Sequence, residues 1–403
     1  MSVYTPSYSA SAASSELTLC EQTLAGSSST STTRWTYKTK HMTIDLGPRL
    51  WEKASSPCYG LNGRVEGSIR LSGAPNHVQR VSVTLMARLS TSVSQEANGS
   101  VYVSKLMART IPVYAPSMPG SGAFDAAHGF LLPIPAQINL KGGVSRLPPS
   151  SYIWEYGLNC DVSYHIKVCM LRKRRGVTYH ESILIPVLYL PKSEPFMDGA
   201  PDVVAALLKD EWDESAEDKY PVITASDQFD VCAHSLYWKL SVSVASTHVS
   251  GENVPFVVTF PPIPSGQTDI VRANISARIV RRTTLRRSSS RSKKADPVVE
   301  EVISTGRIED SGVAADGLAF FVGTVRAGAA GQEASWCIGD MVKREHILLV
   351  SFVPPKGSAL PHLRCERKIR VTTDPSGTIQ RELNALGGVP TPALGLLDAA
   401  QPK

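Results

Sequence analysis

YGLNGRVEGSIRLSG, residues 59–73, is the stretch whose reading decides the fold. Val65, Gly67, Ile69 and Leu71 fall on one face of an extended strand, and Arg64, Glu66, Ser68 and Arg70 fall on the other, because side chains alternate along a strand. A related phrase, HVSGENVPFVVTFPP, returns at 248–262. Each phrase is followed at nearly the same distance by a hydrophobic strand, VQRVSVTLMA after the first and IVRANISARIV after the second. One β-unit used twice predicts a tandem of two β-domains.

Composition agrees. The 403 residues suffice for two domains of ordinary size, and a hydrophobic fraction of 42% is adequate for their cores. The 28 prolines and 29 glycines suit many turns between short strands. The seven cysteines, Cys20, Cys58, Cys160, Cys169, Cys232, Cys337 and Cys365, form no CxxC and no zinc-like spacing. MSVYTPSYSASAASSELTL lacks the basic start and apolar core of a secretory signal. No apolar run approaches the ~18–20 residues of a membrane-spanning helix. An intracellular chain with reduced thiols is the expectation.

Residues 1–40 are dense in Ser and Thr, bury too little apolar area to offset chain entropy, and are expected to be a disordered tail. A first β-domain is expected over 41–195. There Val81, Val83 and Leu85 alternate with Ser82 and Thr84, and Val162, Tyr164, Ile166 and Val168 with Ser163, His165 and Lys167. Period-two alternation means one buried and one wet face, as in the antiparallel sheets of a sandwich. An acidic linker follows over 196–219, with a short helix capped by Asp202 and striped by Val203, Leu207 and Leu208. A second β-domain is expected over 220–375, beginning near LYWKLSVSV and interrupted by a basic Ser/Arg insertion over 281–301. Residues 376–403 read as a flexible tail.

Chemistry-bearing motifs are sparse. The chain contains no nucleophile elbow, HExxH, Walker loop or GxGxxG. The acidic run DEWDESAED is expected to face solvent, and His165 and His180 stand without ligand partners at metal spacing. No enzyme activity, cofactor or metal is therefore expected. The basic run holds Arg281, Arg282, Arg286 and Arg287 beside Thr284, Ser288 and Ser289. Three readings stand: a solvated loop, a membrane-attracted segment, and a target of basic-directed kinases at Thr284, Ser288 and Ser289, where each phosphate adds about −1.5 to −2 charges. Without interleaved aromatics the run does not point to nucleic acid. Arg172, Lys173, Arg174 and Arg175 cluster at what reads as a hairpin tip, either for solubility and edge protection or for an acidic partner.

The order of these phrases resembles the fungal α-arrestins, a family of arrestin-like trafficking adaptors. The resemblance rests on YGLNGRVEGSIRL, VQRVSVTLMA, LPPSSYIWEYGLNCDVSYHIKVCMLRKRR and SILIPVLYLP in the first half, and on SGENVPFVVTF, HILLVSFV and RKIRVTT in the second, together covering about residues 40–375. It implies an all-β chain of two tandem immunoglobulin-like β-sandwiches without enzyme activity. It also implies binding to cytoplasmic tails of membrane-protein cargo, and a cytoplasmic location peripheral to the plasma membrane or endosomes. Such proteins recruit HECT-type ubiquitin ligases through PPxY motifs read by WW domains, for ubiquitin-dependent endocytosis. This chain departs from that pattern, because it has no PPxY; Thr5-Pro6-Ser7-Tyr8 is the nearest match, making Pro6 and Tyr8 the ligase-binding candidates. The resemblance implies an acidic or phosphorylated cargo tail as a partner for Arg172–Arg175, and an anionic lipid surface is a further candidate partner. A retromer-type sorting scaffold without ligase binding is the alternative within the same fold, and a secreted adhesion-type β-sandwich the alternative outside it.

Overall fold

The computed structural model describes residues 33–73, 77–93, 101–117, 123–124, 126–140, 143–155, 158–174, 176–195, 241–244, 246–263, 266–286, 296–313, 317–357, 360–386 and 389–401. These residues are dominated by β-structure, with a few short helices. The run from Arg34 onward forms one compact unit.

In the first half, β1 (Arg34–Lys38), β2 (Met42–Pro48), β4 (Arg64–Leu71) and β7 (Ala127–Pro133) form a four-stranded antiparallel sheet. A six-stranded sheet runs β3 (Cys58–Tyr59), β12 (Val177–Tyr189), β11 (Leu158–Arg174), β5 (Val78–Val93) and β6 (Val101–Tyr114), with β10 (Ser151–Glu155) also paired to β11. The alternation in the opening stretch is realised: Val65, Ile69 and Leu71 are buried in one hydrophobic cluster with Val81, Val83 and Leu85 of β5 and Tyr164, Ile166 and Val168 of β11. Gly67 keeps its place on that face because the Phe130 ring lies over it, where an added Cβ would sit 2.7 Å from the ring. LPPSS is pinned from within. The Tyr164 hydroxyl donates to the Pro148 carbonyl at 2.5 Å, and Tyr189 N–H donates to Ser150 Oγ at 2.9 Å. A small ribbon, β8 (Gln137–Leu140) with β9 (Gly143–Arg146), completes this half.

The second half repeats the wiring of the six-stranded sheet. β13 (Ser241–Val244), β15 (Asn253–Phe260), β19 (Ala319–Arg326) and β18 (Arg307–Val313) form a four-stranded sheet, which carries its extra edge strand on the opposite side, β18 beside β19 where the first half has β1 beside β2. β14 (Thr247–Val249), β22 (Leu363–Thr372), β21 (Val342–Phe352), β16 (Ile275–Leu285) and β17 (Val298–Thr305) form a six-stranded one, with β20 (Trp336–Ile338) also paired to β21. Both six-stranded sheets begin with a very short strand paired parallel to a long one, β3 with β12 and β14 with β22. The two related phrases occupy equivalent places: Tyr59–Gly73 supplies β3 and β4, and His248–Pro262 supplies β14 and β15. The second core gathers Phe256, Phe260, Phe321 and Phe352, and the Phe321 and Phe352 rings meet Phe260 edge to face at 5.7 and 5.6 Å.

Several boundaries differ from the sequence reading. A strand, β1, starts inside the expected tail, because Trp35 and Tyr37 alternate onto the first core. Ile270–Ala273 of IVRANISARIV lies in a short helix (Thr268–Ala273), so the strand of that phrase starts only at Ile275. The expected insertion over 281–301 is narrower: β16 continues to Leu285 and β17 resumes at Val298, because the arginines of one strand face glutamates of the other, Arg281 opposite Glu301 and Arg282 opposite Glu300. The expected flexible tail instead carries helices at Thr378–Leu386 and Leu397–Ala400, tied to the body by the contacts described below. The linker helix at 202–208 and Leu236, Trp238 and Leu240 lie outside the described residues.

Candidate functional site: a charged seam between the two halves

The first hydrophobic cluster does not stop at the first half; it includes Leu285, Val299, Ile338 and Val342 of the second. Three neighbouring strands explain how. On β16, Ala277 and Ile279 belong to the second core and Leu285 to the first, with Arg281 and Thr283 between them on the same face. On β21, Leu348, Val350 and Phe352 belong to the second core and Val342 to the first, with Arg344 and His346 between. Register sets these polar residues side by side, Arg281 opposite His346 and Thr283 opposite Arg344. β17 follows suit with Val299 in the first cluster and Glu301 next. Ile303, two residues on at a bulge between the pairings to Ile279 and Val280, packs on the second core. Each strand therefore passes from one core through a polar belt into the other.

Burial makes this belt an ion network. Arg281 reaches Glu333 Oε1 at 2.7 Å and also pairs with Glu301. His346, fully buried, bonds Glu333 Oε2 through Nε2 at 3.0 Å and Ser335 Oγ through Nδ1 at 2.8 Å. Val371 N–H donates to that same Ser335 oxygen at 3.0 Å. One assignment satisfies all of these: His346 is neutral, Nε2–H donates to the carboxylate, and Nδ1 accepts from the hydroxyl. The Ser335–His346–Glu333 row has the outline of a hydrolase relay, but Ser335 Oγ is spent on stitching β22 and does not line the cavity over the seam. Burial alone would raise the Glu333 carboxyl; the His346 hydrogen bond and the Arg281 charge overcome it and hold the group at about 2. The Arg344 side chain, in a residue only 6% exposed, makes no hydrogen bond or ion pair among the described residues, and burial, aided by Arg281, lowers it to about 10. Burial and the neighbouring Glu301 carboxyl, which also shares a hydrogen bond with it, raise the Glu155 carboxyl.

A cavity of about 740 Å³ opens over this belt, between Trp154 and Glu155 of β10, Glu301 of β17, Arg344, and the C-terminal segment at Gly395 and Gln401. That segment is fastened to both halves. Lys192 pairs with Glu382, and more loosely with Asp374 at 3.6 Å. Thr391 N–H donates to Glu382 Oε2 at 3.0 Å, and Ala393 N–H to the Leu190 carbonyl at 2.9 Å. Leu396 is buried with Leu188 and Leu190. Two glycines admit the segment: a Cβ on Gly60 would meet the Pro390 carbonyl at 2.6 Å, and one on Gly395 would meet the Gly331 carbonyl at 2.5 Å.

The residues singled out by sequence are scattered around this seam. Arg281 is within it. Arg282 pairs with Glu300 and Glu366 on the exposed face, and Arg286 is paired at the surface with Asp340. Thr284 lies in β16, hydrogen-bonded between β17 and β21, not in a loop. Arg172 is half-buried, its Nη1 3.0 Å from the His41 ring, and Lys173 is exposed beside it. Arg174 ends β11. Pro6, Tyr8, Arg175, Arg287, Ser288 and Ser289 lie outside the described residues. Sequence reasoning missed Glu333, Arg344 and His346, although charged residues at inward positions of the otherwise apolar VKREHILLVSF were a readable signal. Among the described residues, no helix is long and apolar enough to cross a membrane. A scan against protein-family models returns no match, and neither does a search of the curated proteins.

Proposed function

We propose that this chain is a non-enzymatic, arrestin-like adaptor: two immunoglobulin-like β-sandwiches side by side that bind cytoplasmic tails of membrane proteins at the plasma membrane or endosomes. The observation that carries this reading is the pairing of a four-stranded with a six-stranded sheet in each half, the six-stranded sheets wired alike with the short parallel strand in equivalent places. Proximity labelling from the full-length protein in its native cell tests this directly. Enrichment of integral membrane proteins with long cytoplasmic tails is expected; labelling confined to soluble enzymes would refute the reading.

Recruitment of a HECT-type ubiquitin ligase rests on Pro6 and Tyr8. Isolated WW domains should retain the wild-type protein and lose Tyr8→Ala. The lack of PPxY in all 403 residues favours a second reading, a retromer-type scaffold of the same fold without ligase binding. Failure of WW domains to retain the wild type would select that one.

A further inference from the structure

At the end of β11 far from β10, roughly 40 Å of strand from the seam, register gathers cationic side chains from both sheets of the first half. Lys38 ends β1 and Lys40 lies in the β1–β2 turn. Arg70 lies at the end of β4, next to Leu71, which pairs with Met42 just past that turn. Arg80 lies opposite Leu171, and Arg172 opposite Val78. Lys38, Lys40, Arg70, Arg80 and Lys173 are exposed and make no ion pair or side-chain hydrogen bond among the described residues. The nearby acid, Glu181, is already occupied: it accepts from Thr39 Oγ1 at 2.5 Å and His41 N–H at 2.9 Å, and meets His41 Nδ1 at 2.6 Å. Beside these bases, Val177 and Tyr179 are 52% and 54% exposed, opposite Arg174 and Arg172 in the β11–β12 ladder. Arg281 and Arg282 of β16 and Arg286 just after it contrast with this, since Arg281 and Arg282 each hold two carboxylates and Arg286 holds one.

We propose that this end of the first half docks on an anionic lipid surface, with the unpaired bases over headgroup phosphates and Val177 and Tyr179 at headgroup depth. Unpaired lysines and arginines beside an exposed aromatic and an aliphatic are the composition that partitions to an anionic interface. The bases come from separated strand ends of two sheets, and none lines the cavity over the seam, which suits a broad surface better than an extended peptide. The inference rests on the adaptor reading only in that it places the chain beside a membrane.

The test is co-sedimentation of the full-length protein with phosphatidylcholine vesicles, with and without phosphatidylserine. Binding is expected only with phosphatidylserine and should fall as salt rises. Lys38→Glu/Lys40→Glu/Lys173→Glu should weaken it at least about tenfold, and Tyr179→Ser should weaken it less, while Arg286→Glu leaves it unchanged. If charge reversal perturbs folding, as judged by circular dichroism melting, the triple glutamine variant replaces it, with a loss in the same direction expected. Binding without phosphatidylserine dependence, an undiminished triple variant, or an equal loss in Arg286→Glu would overturn the proposal. So would a wild type that captures a polyglutamate peptide through these lysines yet ignores the vesicles. Proximity labelling of membrane cargo does not depend on this result, so failure on vesicles leaves the adaptor reading standing.

Discussion

Glu333→Gln removes one charge from the seam while keeping the shape of the side chain. In the wild type, a carboxylate with 8% side-chain exposure is held by Arg281 at 2.7 Å and His346 at 3.0 Å. Holding that carboxyl at about 2 in place of its ordinary 4.5 corresponds to about 3 kcal/mol of stability at pH 7, within the ~3–5 kcal/mol typical of breaking a buried ion pair. The sign follows from the direction. A carboxyl lowered in the folded state stabilises it fully above the unfolded value, and the contribution is lost as pH falls through the folded value. It should therefore shrink to about 1.4 kcal/mol at pH 3. Urea unfolding followed by tryptophan fluorescence, wild type against Glu333→Gln, should give a difference of about 3 kcal/mol at pH 7 and about half that at pH 3. A difference below about 1 kcal/mol at pH 7, or one equal at both pH values, would refute the ion-network account.

Burial lowers the His346 pKa against the opposing pull of Glu333, so the unfolded chain binds the proton more readily and stability should fall as pH drops below the ordinary 6.5. His346→Gln should flatten that slope in the same urea titrations. Gly60→Val should dislodge the C-terminal segment, since the new side chain meets the Pro390 carbonyl; hydrogen exchange over 389–401 should quicken, whereas Gly129→Ala, with open space around it, should leave exchange unchanged. Lys192→Met strips Glu382 and Asp374 of their shared cation. Trypsin should then cut at Arg381 sooner than in the wild type. Phe256→Ala should cost about 3–5 kcal/mol in thermal or urea unfolding, because the ring is fully buried over Gly323.

The strands themselves were legible where one face is wet. Val65, Ile69 and Leu71, or Tyr164, Ile166 and Val168, announce their buried face because alternation is a property of consecutive residues. Their repetition at 248–262 was equally open to inspection. The start of the arginine-rich run, in β16, was not legible as strand for the same local reason. Arg281 and Arg282 look like a solvated loop until Glu301, Glu300, Glu333 and Glu366 are placed beside them. The C-terminal segment looked loose because its helices are short, and their anchorage comes from Lys192 and Leu190, far away in the chain.

By itself, then, the sequence determined the all-β character and the doubling of the unit, beginning with the phrase at Tyr59–Gly73. Short-range periodicity decides both, through the requirement that each strand bury one face. Only the tertiary structure decided that the two cores meet across a belt of Arg281, Glu333, Arg344 and His346. It also decided that Gly60, in that same opening phrase, is a seat for the C-terminal segment. Those features depend on burial and close approach between residues up to 330 positions apart, from Gly60 to Pro390, which no local pattern encodes.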